Sequence, residues 1–583
     1  MAVLGIDVGG TFTDAVLLAN GRLTTAKVPT EARQEESVLA AARAVRAREA
    51  GEVERFTHGT TIATNALLER KGARTAFVTT AGFEHLLHLR RQNRSHLYRL
   101  CADHPPPLVP LERCYGVRER LGPEGVVQAL DLESLPEIDA EAVAVCLLFS
   151  FRDAAHELAV ADELRRRLPN AHVGISHEVA PEFREYERAS TTVVDAYLGP
   201  TLSRYLGSLA ARCAKEGLVE PLVMRSSGGV ATLAEAAAHP AWVLVSGPAA
   251  GVVGAAQVVH RAGIENAISL DMGGTSTDVC LIEDGKVART GERVVGGLPL
   301  RLPTVDLHTV GAGGGSLVWR DSGGALRVGP ESAGADPGPA CYGRGGTHPT
   351  VTDANLLLGR LPERLAGGLE LDRAAAERAL GGFDPEEVVE IVNAEMLRAL
   401  RIISVERGHD PRDFALVAFG GAGPLHACAL AEELEIGKVA VAAAAGVLSA
   451  LGLVASDERR DRVVSYVRPL AEVGELPGEG EADLRYAGQS FELTVALGGD
   501  LAEAFHRAHE ERYGYADRSH PVELVAVRTA EVRPGPELAL PPSEALEVSG
   551  PALVELEGAT CWVPPGWVGA RDGGDSTLIL TRL

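Results

Sequence analysis

Two eight-residue segments carry the same chemistry-bearing residues in the same order. Residues 7–14 read DVGGTFTD and residues 271–278 read DMGGTSTD, matching at six of eight positions. Each follows an apolar run (VLGI, AISL) and precedes another (AVLL, VCLI), so each reads as a β-hairpin closed by a Gly-rich turn. Successive glycines let backbone N–H groups point into one concavity, which suits phosphate. Gly9, Gly10, Thr11 and Thr13, with Gly273, Gly274, Thr275 and Ser276, are the candidate phosphate donors. Asp7 and Asp271 end the leading strands. They are the candidates to hold Mg²⁺ through water and to serve catalysis. Asp14 and Asp278 either join them or close their own turns. One Gly-Gly turn is an ordinary hairpin as readily as a ligand site. Two copies in register point to a nucleotide gripped from both sides.

Other segments fit around that pair. FALVAFGGAGPLHA (414–427) reads as a strand, then Gly420, Gly421 and Gly423, then a helix from Pro424; such a helix start can take an adenosine or phosphate edge. Gly313 and Gly314 lie in a loop, 311–315, that can cover phosphate or substrate, and Asp306 and His308 precede it. In HGTTIATN, His58 either orients substrate and moves a proton or is a satisfied structural histidine; Thr60 and Asn65 share that segment. Asp353 reads as an N-cap for a helix over 354–360. Arg90, Arg91, Arg94 and Arg99 form the densest basic cluster, a solvated face or a docking surface. Cys341 sits among glycines with no general base beside it in sequence.

The elements that must position these residues are legible in outline. Helices are expected at 34–50, 155–168, 191–213 and 384–407, the last with Asp384 as N-cap and Pro385 at its first position. Strands are expected at 75–79, 143–149 and 219–225. A Gly/Pro/Glu-rich stretch at 471–481 reads as a linker, and the alternating tail beyond it as β-rich. The expected division is 1–180, 181–470 and 471–583.

A chain of 583 residues exceeds what one core holds. Its 56 basic and 80 acidic side chains leave a net charge of −24, which argues against general binding to nucleic acid or anionic membranes. The eight cysteines make no CxxC pair, and the histidines show no metal spacing. The opening MAVLGIDVGG has no basic region and its apolar run is broken by Asp7. It does not read as a signal peptide, and the protein is expected to be cytoplasmic.

Longer segments carry a family resemblance. They are FTHGTTIATNALLERKGARTAFVTT (56–80), SSGGV (226–230), SGPAAGVVGA (246–255), HTVGAGGGS (308–316), SAGADPGPACYGRGGTHPTVTDANLLLGRL (332–361) and ERGHDPRDFALVAFGGAGPLHA (406–427). Together they resemble the hydantoinase A/oxoprolinase family over roughly residues 3–460. The resemblance implies an α/β, two-lobed actin-like ATPase with duplicated ribonuclease H-like domains and a small β-rich C-terminal domain. It implies ATP-dependent opening of a cyclic amide such as a hydantoin or 5-oxoproline, with ATP and Mg²⁺ as cofactors and a hydantoinase B-like second subunit as partner. Some relatives are instead subunits of ATP-dependent ketone carboxylases, of the acetone or acetophenone type, and the motifs are shared. An actin-like filament or chaperone lacks support, because only about 100 residues follow the linker. In the tail, RYAGQSFEL, HEERYGYA and GPALVELEGATCWVPPGW resemble the family, while the stretch at about 534–549 is short.

Overall fold

The computed structural model describes residues 2–49, 52–99, 101–365, 368–536, 543–572 and 576–583. Two sheets organise the molecule, and their centres are built alike. In the first, Val3–Val8 runs antiparallel to Phe12–Ala19, which runs antiparallel to Arg22–Pro29; on its other side Val3–Val8 pairs in parallel with Arg55–Gly59, and that with Leu222–Met224. In the second, Ala267–Met272 runs antiparallel to Thr277–Glu283 and that strand to Lys286–Val287, while Ala267–Met272 pairs in parallel with Ala415–Phe419, and that with Lys438–Ala442. The same five-strand core thus occurs twice, each opened by one of the repeated octapeptides.

The central strands are nearly continuous apolar runs because both faces are covered. Between the sheets lie two helices, Ser246–Arg261 and Leu448–Ala455, which pack on each other. Their contact is backbone on backbone. A Cβ added to Gly452 would sit 2.0 Å from the Ala250 carbonyl oxygen, and one added to Gly5 would sit 2.3 Å from that of Ala450. A methyl at either place would force the lobes apart, at a cost of about 1–3 kcal/mol.

The expected division at 180 and 470 is not how the sheets are built. Leu222–Met224 and Val230–Ala231 belong to the first sheet, so that lobe extends well past residue 180. Residues 75–175 supply a separate five-stranded sheet, with Thr75–Thr80 and Ala142–Cys146 parallel inside it and His172–Ile175 parallel at one edge. The tail is β-rich but split between lobes. Glu458–Pro469, Glu481–Tyr486, Leu493–Ala496 and Val522–Arg533 extend the first sheet, whereas Leu546–Ser549, Trp567–Arg571 and Thr577–Arg582 extend the second. Part of the short stretch at 534–549, residues 537–542, lies outside the described residues.

Local signals account for the helix ends. The long helix runs Pro385–Ile403, with Asp384 accepting from the Glu386 N–H at 2.9 Å. It stops before the expected 407, because Ser404 leaves helical geometry and a short 3₁₀ turn carries the chain to Gly408. Thr350, not Asp353, caps the helix Val351–Leu357; Asp353 is the reciprocal residue of the capping box and also accepts from the Ala340 and Cys341 N–H groups. All eight cysteines are free thiols, seven of them buried. Burial raises the Cys341 thiol pKa, consistent with a packed rather than reactive cysteine. No helix among the described residues is long and apolar enough to cross a membrane.

Candidate active site

Both octapeptides fold as hairpins, with Asp7 opposite Asp14 and Asp271 opposite Asp278. The turns are the same turn twice: the Gly9 N–H donates to the Phe12 carbonyl at 3.0 Å, and the Gly273 N–H to that of Ser276 at 3.1 Å. They face each other across the cleft, since the Cβ position of Gly274 lies 3.9 Å from Thr11 Oγ1. Among the described residues, no protein acceptor takes the N–H groups of Gly10, Thr11, Gly274 or Thr275. Four backbone donors, two from each lobe, are therefore available to one anion.

The leading aspartates sit beside a glycine-lined helix face. Positions for a Cβ at Gly247 and Gly251, one turn apart on Ser246–Arg261, lie 3.3 Å from Asp7 Oδ1 and 3.1 Å from Asp271 Oδ2. The ends of the neighbouring parallel strands close in as well: a Cβ on Gly59 would come within 2.4 Å of Asp7 Oδ1, and one on Gly420 within 2.4 Å of Asp271 Oδ1. Gly420 has φ +78°, so both space and backbone exclude a side chain there. Asp7 Oδ1 is enclosed and has no hydrogen-bond partner.

Burial raises the pKa values of these carboxylates, and neighbouring carboxylates add to the rise at Asp7 and Asp271. Burial pushes Asp7 up to about 7, with Asp14 adding to the rise and Lys27 opposing it. Burial pushes Asp271 up to about 8, helped by Asp278, Asp7 and Asp14. Asp14 and Asp278 are also raised, chiefly by burial. Each has a single close partner on a strand paired with its own. Lys27 Nζ donates to Asp14 Oδ1 at 2.5 Å, and Thr309 Oγ1 to Asp278 Oδ1 at 2.5 Å. Neither partner was among the residues singled out from sequence. Lys27 had a signal, because Asn20 and Gly21 form a two-residue turn with positive φ at both positions, and counting back from it places Lys27 opposite Asp14. Thr309 had none: it arrives on a separate short strand, His308–Val310, after a long excursion.

Several expected site residues have other duties. Thr13 is fully buried and bonds Thr30 Oγ1 at 3.0 Å, bracing the first turn from behind. Gly313 and Gly314 do not offer N–H groups to a ligand. Gly313 N–H donates to Ser316 Oγ and Gly314 N–H to the Gly273 carbonyl, so this loop buttresses the second turn. The Gly420 N–H is taken by the Ala445 carbonyl, whereas Gly421 is open, and Gly423 packs near the Leu270 carbonyl at the start of the helix Gly423–Glu433. His58 lies on the strand Arg55–Gly59. It is fully buried, with Nδ1 at 3.1 Å from the Ile6 carbonyl oxygen and Nε2 at 2.7 Å from Tyr205 Oη, and burial pushes it down to about 4. It is a neutral bridge between the strand under Asp7 and the helix Glu185–Lys215. Thr60 is buried and exchanges bonds with Ser246 at the start of the interlobe helix. Asn65 lies partly exposed on the helix Ile62–Leu68. Asp306 is held in an ion pair with Arg407, and His308 stands opposite Val279 in the second hairpin's sheet. Arg91, Arg94 and Arg99 of the basic cluster are exposed and Arg90 is half-buried, with Arg91 paired to Glu187.

The duplicated core, the two hairpins facing across a cleft and the helices between them define a two-lobed, actin-like fold. The chain belongs to the hydantoinase/oxoprolinase family: residues 188–462 match the Hydantoinase/oxoprolinase model and residues 3–168 that of its N-terminal region. It is 32% identical to the caprolactamase subunit alpha of Pseudomonas jessenii, over 97% of each chain. The crystal structure of the ATP-dependent caprolactamase from that organism superposes with a TM-score of 0.85 at 30% identity, covering 100% of both chains. The acetophenone carboxylase gamma subunit of Aromatoleum aromaticum is 35% identical over 77% of this chain and 67% of its own. 5-Oxoprolinase 1 of Arabidopsis thaliana is 35% identical over 70% of this chain, which spans 36% of that longer protein.

Proposed function

We propose that the chain is the nucleotide-binding component of an ATP-dependent enzyme that opens a lactam or related cyclic amide. The observation that carries this reading is the pair of facing turns, whose free N–H groups and flanking carboxylates suit a polyphosphate held between lobes, in a chain matched end to end by an ATP-dependent caprolactamase. An unstrained amide resists water because its carbonyl is a poor electrophile and its nitrogen a poor leaving group. Attack of the amide oxygen on the γ-phosphorus, with departure of ADP, makes an imidate phosphate. Water adds to that carbon, the ring nitrogen leaves with a proton, and a second water releases phosphate from the acyl phosphate to give an amino acid.

The residues of this chain serve the first step by position and charge, which is most of what phosphoryl transfer asks of a protein. Gly10, Thr11, Gly274 and Thr275 would orient the phosphates from both sides, and Gly421 leaves room for the nucleoside at the helix Gly423–Glu433. Asp7 and Asp271 suit a divalent cation: Asp7 Oδ1 is enclosed without a partner, and both carboxylates are destabilised as anions. Mg²⁺ held there through water would neutralise charge on the phosphates. Among the described residues no three acidic, His or Cys side chains gather as a metal site, which favours an ion that keeps most of its water.

The later steps are assigned to a second, hydantoinase B-like subunit, since among the described residues no nucleophile–base pair accompanies the hairpins. The acetophenone carboxylase relationship supports one alternative, in which the same phosphorylation activates a ketone enolate. The deciding experiment supplies the purified chain, alone and with its companion subunit, with ATP, Mg²⁺ and in turn caprolactam, 5-oxoproline, a hydantoin, or a ketone with bicarbonate. Mass spectrometry should find an amino acid product only with both subunits. A carboxylated ketone would establish the alternative, and full turnover by the chain alone would overturn the division of labour.

A further inference from the structure

The third strand of the first hairpin sheet, Arg22–Pro29, reaches across the cleft. Besides its bond to Asp14, Lys27 Nζ donates to the Gly446 carbonyl at 3.3 Å. Gly446 follows the core strand Lys438–Ala442 of the second sheet. Two residues earlier, and so on the same face of the strand, Thr25 Oγ1 donates to Glu557 Oε1 at 2.5 Å. Gly446 and Glu557 form one corner of the second lobe: the Gly446 N–H donates to the Glu557 carbonyl at 3.0 Å, and a Cβ on Gly446 would lie 2.1 Å from the Gly558 carbonyl carbon. That corner is closely packed, and its hairpin, Ala552–Leu556 with Ala559–Val563, packs on the second-lobe helix Gly423–Glu433. The ammonium is also 5.5 Å from the centre of the Phe12 ring, within the first hairpin. Asp278, which occupies the equivalent place in the second hairpin, is bonded by a hydroxyl on its own lobe.

We infer that Lys27 is a positioning residue that ties Asp14 of the first hairpin to the Gly446 carbonyl of the second lobe, presetting the distance between the two phosphate turns, with Thr25–Glu557 as the second point of the same clasp. The inference rests on the nucleotide reading for its purpose and on the two cross-lobe bonds for its existence. A site whose donors come half from each lobe binds only in the conformation that brings them together. Apparent affinity therefore scales with the population of that conformation. A clasp that holds the lobes near closure raises that population without touching the ligand.

The test uses the full chain with Lys27→Met, which keeps the apolar stem and removes the donor, Lys27→Arg, which restores charge and reach, and Thr25→Val. Hydrogen exchange is followed first without nucleotide. In Lys27→Met, residues 443–447 and 556–559 should exchange at least tenfold faster, Val3–Val8 should keep its protection, and Lys27→Arg should restore the wild-type pattern. Thr25→Val should show the same change confined to 556–559. Binding of a non-hydrolysable ATP analogue, by calorimetry, should weaken about tenfold in Lys27→Met and recover in Lys27→Arg. In turnover with a saturating partner, KM for ATP should rise while kcat changes less. Unchanged exchange at 443–447 in Lys27→Met overturns the clasp whatever reaction the chain serves. Faster exchange with unchanged analogue affinity overturns its role in nucleotide binding. If Lys27→Met does not fold, wild-type exchange in Thr25→Val overturns the clasp.

Discussion

The two hairpins share six residues of eight and one backbone trace, yet they hold their second aspartates differently. Asp14 meets an ammonium that also reaches the opposite lobe; Asp278 meets a hydroxyl that stays on its own. The leading aspartates differ accordingly. Asp7 feels burial and one neighbouring carboxylate, relieved by Lys27, and lies at about 7. Asp271 feels burial and three carboxylates, with Lys27 its smallest influence and a relieving one, and lies at about 8. A repeated motif thus fixes geometry twice, while the strand laid beside each second aspartate decides how much charge that geometry can bear.

The sharpest test of the pairing is to remove each leading carboxylate in turn. Asp7→Asn and Asp271→Asn should each lower ATP turnover by about 10²–10³-fold, the size typical of losing one electrostatic stabiliser, with circular dichroism unchanged. Wild-type rates in either variant would end the claim that the hairpins act as a pair.

Glycines beside the carboxylates probe the same comparison more gently. Gly59→Ala and Gly420→Ala each press a methyl against an aspartate oxygen, so both should reduce turnover roughly tenfold through misplacement. The second should also lose about 1–3 kcal/mol of stability in denaturant titration, since its φ is positive as well. Equal stability in the two variants would mean that the backbone at 420 relaxes.

His58→Gln separates support from chemistry. It breaks two buried hydrogen bonds, so the unfolding midpoint should fall by an amount corresponding to about 1–3 kcal/mol. Turnover per folded molecule should stay within a few-fold of wild type. A large loss of kcat with unchanged stability would return His58 to the reaction.

The smallest effect is on stability against pH without nucleotide or metal. A carboxyl whose folded pKa is raised binds its proton more tightly in the native state, so its stabilising contribution is full below the ordinary carboxyl range and is lost as pH rises through the folded value. The contribution of Asp7 should fade through about pH 7 and that of Asp271 through about pH 8. Melting curves from pH 5 to 9 should show the midpoint falling as pH rises and levelling off above about pH 8. Asp271→Asn should flatten the curve to higher pH than Asp7→Asn. A slope of the opposite sign would mean that the carboxylates are ionised and already compensated.

Much of the site was legible because it is local. An octapeptide, its flanking apolar runs and a Gly-rich turn specify a hairpin within twenty residues, and the duplication shows without alignment to any other chain. What escaped depends on contacts between distant segments. His58 sits on a strand with neighbours on both sides, so its ring had to find partners inside the protein. Gly313 and Gly314 look like donors to a ligand until their N–H groups are seen to be used by the neighbouring turn. A boundary at 180 does not coincide with the sheets, because Leu222–Met224 returns to the first sheet after the whole five-stranded insertion. Periodicity marks such a strand, but not which sheet receives it.

The division of the tail between the two sheets has a consequence for how the chain is made. The second core is bordered by Lys438–Ala442, whose outer edge pairs with Thr577–Arg582. On a ribosome, that buried and strongly apolar strand emerges long before its partner. During the interval it presents an unpaired edge of the kind that recruits other strands. Meanwhile Glu458–Arg533 is folding back onto the first lobe. The protein must therefore finish its earlier half while its later half waits open. Chains cut short anywhere between these two segments should accumulate as aggregates rather than as smaller working units, and chaperone demand should peak while the last strands are still being synthesised.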